Sequence, residues 1–171
     1  MRLTLRTNLA ARVLMYCGVN SEGTVKSVAI AEATNASGNH LAQVIHQLQL
    51  FGYVHTRRGR GGGLMLARAP EDISIGKLFR DFEADVPFTE CFDVANRNCP
   101  LTETCRLTGH LRRAIEAFYS TLDEVSLKDL IDGNSGLEVL LSASGAGREE
   151  EVVELRSRAA CFEQRELLAG E

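Results

Sequence analysis

A mainly α chain with one small β-hairpin is what three features of the 171-residue sequence predict. Apolar stripes of helical period fill the first 50 positions. The period then drops to two around a loop of arginines and glycines. A long helical stripe returns near position 107, just past a segment carrying three cysteines.

The elements follow in order. Ala10, Val13, Leu14 and Cys17 recur at i, i+3, i+4 and i+7, which predicts a helix over 4–20 with Cys17 in its core stripe. Ser27 is placed to cap a short helix covering Val28, Ile30, Ala31 and Ala33. A polar turn spans 35–39. The next helix carries Leu41, Val44, Ile45 and Leu48 at the same spacing and ends before Gly52, a residue that accepts a left-handed cap. Strand-like runs at 53–56 and 64–67 flank the loop Arg57-Arg58-Gly59-Arg60-Gly61-Gly62-Gly63. Helix, short helix, turn, helix and basic hairpin make a winged helix-turn-helix. Pro70 and Ser74 then introduce a helix over 75–84. A long helix is expected over 107–122 and a small one over 126–132, followed by an apolar patch at 137–141. The charged tail reads as helical over 148–168. The resulting division is a helix-turn-helix domain over 1–84, a cysteine loop over 85–106, a dimerisation helix and C-terminal helix over 107–141, and the tail over 142–171.

Composition narrows the classes. At 44% hydrophobic and 25% charged, the chain suits one globular domain or two small ones sharing a core. No run approaches the roughly 20 apolar residues of a membrane span, and MRLTLRTNLAAR has no apolar stretch leading to a cleavage site, so a cytoplasmic protein is expected. Five cysteines, an odd number, argue against a closed disulfide framework. The formal charge of −4 hides an asymmetry: residues 1–70 carry eight Lys/Arg against two Asp/Glu, and 71–171 carry eleven against twenty-one. A basic front on an acidic back predicts that only the front meets a polyanion.

Double-stranded DNA is the polyanion that this front fits. The second helix of such a unit enters the major groove while its apolar stripe packs inward. Its other face shows His40, Gln43, His46 and Gln47. Gln43 has the donor and acceptor pair that reads adenine. Ser37, Gly38 and Asn39 stand at its N-terminal end, where backbone N–H groups meet phosphate. A solvated polar face is the plain alternative for the helix alone. The loop adds Arg57, Arg58 and Arg60 with Gly61, a composition suited to a narrow minor groove. It is not a nucleotide loop, because no lysine follows the glycines and strand-like sequence lies on both sides. Arg2, Arg6 and Arg12 are candidate phosphate contacts, or merely solvated.

Cys91, Cys99 and Cys105 are spaced C-x7-C-x5-C. Three thiols in one loop point to a metal. Structural zinc normally takes four ligands and a close C-x2–4-C pair, which is missing here. Wide spacing suits an iron–sulfur cluster, whose usual ligands are thiolates. Zinc held by the three thiols plus His110, in a DNA-binding module without a sensing role, stays open, as does an iron–sulfur enzyme. Cys161, in the tail, has no assigned role.

Taken together, MRLT at the start, TNLAARVLMY, NHLAQVIHQL, GYVHTRRGRGGGLMLA, ISIGKLFRDFE, the three-cysteine loop and AFYSTLDEVSLKDLI resemble the winged-helix iron–sulfur regulators that include NsrR, IscR and RirA. The resemblance spans residues 1–141. It implies a homodimer joined through the 107–122 helix, and a cluster, [4Fe–4S] in preference to [2Fe–2S], on Cys91, Cys99 and Cys105. At the position of a ligating histidine in IscR-like members this chain has Thr108. Where some NsrR proteins supply an aspartate ligand from the partner subunit it has Asn8, the candidate fourth ligand. The NHLAQVIHQL stretch is nearest NsrR, which implies a repressor released from its operator by nitric oxide. A regulator answering to iron or cluster status, of RirA or IscR type, is the alternative.

Overall fold

The structure, a computed structural model, describes residues 3–93, 99–101 and 103–142. Arg2, positions 94–98 and 102 of the cysteine loop, Cys161 and the tail from 143 onward, with its expected helix, lie outside the described residues.

Helix α1 (Leu5–Val19) starts where the Thr4 side chain accepts a hydrogen bond from the Thr7 N–H, and ends at Asn20. The stripe Ala10, Val13, Leu14 and Cys17 is buried, as are Leu9 and Tyr16 on neighbouring turns. Apolar residues on so much of its circumference make α1 the central helix, the one against which α3 (Gly38–Leu50), α4 (Ile75–Glu83) and α6 (Leu127–Ile131) pack. α2 (Ser27–Thr34) begins one residue earlier than expected. Ser27 is already helical and Lys26 holds the cap position, because the Lys26 carbonyl accepts the Ile30 N–H at 3.2 Å. Asn35, left-handed at φ 51°, ends it. The Ser37 side chain caps α3 by accepting from the His40 N–H, and Gly52 turns the chain out of it at φ +72°.

Strands β1 (Val54–Arg57) and β2 (Gly63–Leu66) pair antiparallel with Val54 opposite Leu66 and Arg57 opposite Gly63. Each is offset by one residue from the expected run. Tyr53 falls outside because its N–H still closes α3 on the Leu48 carbonyl at 2.9 Å. The hairpin also gains an edge partner, since Val25 and Leu64 exchange both backbone hydrogen bonds at 2.8 Å. A Cβ at Gly63 would stand 2.5 Å from the Val25 oxygen, so only glycine permits this approach.

Beyond a 3-10 turn at Pro70–Asp72, Ser74 caps α4. α5 (Leu107–Asp123) lies along α4 with none of its own residues buried. Ser126 and Asp129 form a capping box on α6. The 137–141 patch, expected only as an apolar stretch, is part of α7 (Ser135–Leu141); Leu141 is buried, and its carbonyl accepts from the Asn20 side chain at 2.9 Å. Among the described residues no helix is long and apolar enough to cross a membrane.

Candidate nucleic-acid interface and cysteine segment

The face of α3 turned away from the core consists of Asn39, Ala42, Gln43 and His46, with Ser37 and Gly38 exposed at its start. His40 and Gln47 are only half exposed, so the outer face is rotated slightly from the expected His40, Gln43, His46, Gln47 row. Nothing lies within 4 Å of where a Cβ on Gly38 would stand, so packing does not demand glycine there. The wing is fixed at three points, to α3 and to the stretch leading into α2. Gln49 donates to the Thr56 hydroxyl at 2.6 Å, Thr24 donates to the Gly61 carbonyl at 2.8 Å, and the Lys26 ammonium bonds the Gly62 carbonyl. Gly59 and Gly61 make the tip turn at φ +97° and +84°, which gives Gly61 a backbone reason for its identity. Arg57, Arg58 and Arg60 all remain exposed. A groove of about 550 Å³ runs between α2, α3 and the wing, with Gly38, His46 and Arg57 in its wall. The structure therefore gathers the start of α3, His46 and the wing base around one groove.

Arg6, Asn8 and Arg12 are exposed on α1. Arg12 donates to the Thr34 carbonyl at 3.3 Å, a cation at the C-terminal end of α2, so it has a structural occupation as well.

The cysteine segment leaves the end of α4 and returns at the start of α5. Cys91 sits in a 3-10 turn (Glu90–Phe92) with its Sγ 3.0 Å from the Thr89 hydroxyl. Cys99 and Cys105 are, like Cys91, half-buried. All three, and buried Cys17, are outside disulfides. Cys105 lies two residues before α5, where the N–H of Thr108, the Thr108 hydroxyl and the N–H of Leu107 favour its charged form and hold its pKa below the usual thiol value. Among the described residues, no three His, Cys, Asp or Glu side chains gather as a site for one metal ion. His110, the zinc ligand weighed above, instead stands with its Nδ1 2.8 Å from the Arg113 guanidinium. The donor chemistry fits an iron–sulfur cluster: three accessible thiols on one segment, one of them already biased toward thiolate.

Two residues of α4, the helix that leads into this segment, tie that helix to α1 and α5, and sequence reasoning missed both. The Glu83 carboxylate accepts from the Thr4 N–H at 2.9 Å, from the Thr4 hydroxyl at 3.0 Å and from the Thr7 hydroxyl. It thereby pins the first turns of α1, where Asn8 lies, to the residue from which the cysteine segment departs. Arg80 bonds Glu116 at 2.6 Å and Asp123 at 3.1 Å and lies 4.7 Å from the centre of the Tyr119 ring, clamping α5 to α4. A cavity of about 740 Å³ opens between these contacts, lined by Leu3, Glu83, Phe88, Phe92, Arg112 and Tyr119. No local pattern signals Glu83, since its partners lie 76 and 79 residues away.

Residues 3–133 match the family model described as "Rrf2: Iron-dependent Transcriptional regulator". The chain belongs to the Rrf2 family. It is a transcriptional regulator and not an enzyme, which sets aside the iron–sulfur enzyme reading. It is 39% identical over 142 residues to the HTH-type transcriptional regulator NsrR of Geobacillus kaustophilus, covering 82% of this chain and 97% of that one. It is 39% identical over 138 residues to the HTH-type transcriptional repressor NsrR of Streptomyces coelicolor, covering 80% and 92%. The Rrf2 fold is seen again in CymR, the global cysteine regulator of B. subtilis, at TM-score 0.59 and 23% identity over 77% of this chain and 96% of that one. IscR of T. potens matches at TM-score 0.59 and 24% identity, over 76% and 85%.

Proposed function

We propose that this Rrf2 chain is a cytoplasmic, homodimeric repressor that binds double-stranded operator DNA and releases it when nitric oxide reaches an iron–sulfur cluster on Cys91, Cys99 and Cys105. The observation that carries the reading is the pair of contacts from α4, the helix that leads into the cysteine segment: Glu83 bonds α1 and Arg80 bonds α5. The likeness to the NsrR proteins supplies the repressor role and the nitric oxide signal. Residues 1–84 would serve as the DNA-binding unit, 85–106 as the cluster-binding loop and 107–141 as the dimerisation part.

Ser37, Gly38, Asn39, His40, Gln43 and His46 face the major groove in this reading. Arg57, Arg58, Arg60 and Gly61 enter the minor groove, while Arg2, Arg6 and Arg12 meet phosphates. A bound cluster, [4Fe–4S] in preference to [2Fe–2S], supplies iron that reacts with nitric oxide. Cys91, Cys99 and Cys105 keep their segment in one arrangement only while all three are engaged, and Asn8 is the candidate fourth ligand. Were the thiols released, Glu83 and Arg80 would pass a shift of α4 to α1 and α5. A thousandfold loss of operator affinity needs about 4 kcal/mol of such coupling.

The test is an anaerobically reconstituted sample titrated with nitric oxide while its binding to a selected operator duplex is followed. Binding falls in step with the loss of cluster absorbance; unchanged binding with a bleached cluster overturns the reading. The family description, iron-dependent, favours a second reading in which iron or cluster status is the signal. Release by an iron chelator at the same extent of bleaching, but not by nitric oxide, would select it.

A further inference from the structure

The polar residues of α3 leave one position on its outer face unexplained. Ala42 is exposed between Asn39 and Gln43, and Val28, on the first turn of α2, is 66% exposed. Both line the groove between α2, α3 and the wing, with Leu41, Ile45 and Leu64 also in its walls. Two solvent-facing apolar side chains on the α2–α3 face are not required by the core. Water on them is costly unless a partner removes it, and each buried methyl-sized group returns roughly fourfold in affinity. The partner's chemistry is constrained from the other side. Glu32 and Arg57, of opposite charge, line the same groove, so its walls give a phosphate no net attraction. What the major groove offers without charge, and with a match to Ala and Val methyls, is the 5-methyl group of thymine.

We propose that Ala42 and Val28 form a thymine-methyl site, which specifies an A·T pair at one position in each operator half-site. The assignment rests on the DNA-binding reading above and refines it. Gln43, next along α3, carries the amide that pairs with adenine, so adjacent residues can read A·T pairs by two independent means. The site also explains why a small residue stands at position 42: a longer polar side chain there would fill the space that the methyl needs.

The experiment uses the full chain purified without air. Duplexes are selected from a random-sequence pool, and each thymine of the selected half-site is replaced singly by deoxyuridine, which removes only the methyl. Affinities are measured for the wild type, Ala42→Gly and Val28→Thr. The ratio of thymine to uracil affinity within each variant cancels any general loss of stability. The expected result is a threefold to fivefold loss at one position per half-site for the wild type, shrinking below about 1.5-fold in both variants. The proposal is overturned if no single replacement matters, or if the sensitive position stays equally sensitive in both variants. In either case enrichment of a common duplex leaves the DNA-binding reading standing. If no duplex is enriched and binding lacks salt dependence, the DNA-binding reading fails and takes this one with it.

Discussion

At Glu83 one carboxylate answers three donors from another helix, and the arrangement does two jobs. It satisfies the Thr4 N–H and the hydroxyls of Thr4 and fully buried Thr7, and it places a negative charge at the positive end of α1. Replacing Glu83 with Ala leaves those donors short of an acceptor. Because Glu83 is partly exposed, water recovers some of the loss, and a cost of about 1–3 kcal/mol is expected. That corresponds to a melting point lower by several degrees in a chain of this size, read by calorimetry; an unchanged melting point would show that the three bonds are incidental. Cys17 offers a contrasting test. Burial pushes its thiol up to about 12, so at pH 8 it is almost wholly protonated as well as covered. Iodoacetamide applied to the folded, cluster-free protein at that pH should label Cys91, Cys99 and Cys105 and spare Cys17, with mass spectrometry of the digest as the readout. The apolar period was enough to place Cys17 in the core. Glu83 could not be found that way, because a hydrogen-bond acceptor leaves no mark on periodicity.

The interface between α4 and α5 depends on a missing side chain. A Cβ on Gly76 would stand 2.5 Å from the Asp123 nitrogen and 2.7 Å from the Tyr119 carbonyl oxygen, both rigid backbone atoms. Gly76→Ala should therefore push α5 away from α4, costing roughly 1–3 kcal/mol by overpacking. Urea unfolding would show it as a lower midpoint at unchanged slope. At α6, the Asp129 carboxyl is held below the usual carboxylate range by the hydroxyl and N–H of Ser126. A depressed pKa in the folded state means stability that is present above the unfolded value and is lost as pH falls through the folded one. Ser126→Ala, which keeps the N–H bond but removes the hydroxyl, should thus flatten the acid limb of a melting-point profile below about pH 4; a variant that loses stability in parallel with the wild type across that range would refute the assignment. Elements with a strong 3.6-residue stripe and a capping residue, α1, α3 and α4, were legible to within a residue or so. The strands shifted because Tyr53 still serves α3, and α7 was missed because five apolar-rich positions in a Gly/Ser stretch carry too little periodicity. The offset between expected and observed outer faces of α3 has the same origin: periodicity finds the buried side, and the exposed side is left to residue polarity, which passed over Ala42.

A single subunit leaves α5 incompletely covered. In a 17-residue helix none is buried, Leu111, Ile115, Phe118 and Leu122 are half-buried, and Leu107 is 60% exposed. α4 covers one side, through Gly76 and Arg80, and the remaining apolar positions are only partly covered by the described residues. The sequence stripe over 107–122 predicted a helix that buries a face, and the structure shows that its own chain buries only part of it. In the proposed homodimer a second copy would cover this face, since a two-fold pairing of α5 with its equivalent covers both helices at once and would set two α3 helices to read one operator. The full chain should then sediment at twice 18.7 kDa. Ala114 is exposed in the subunit, so Ala114→Glu should leave the fold intact by circular dichroism. It places two like charges across the two-fold contact and should give a monomer. With one recognition helix per particle in place of two, operator affinity should fall by at least about a hundredfold, because the second half-site no longer binds at the high effective concentration that the dimer provides. A folded Ala114→Glu variant that still sediments as a dimer would move the interface away from α5, and with it the route from the cysteine segment to the DNA.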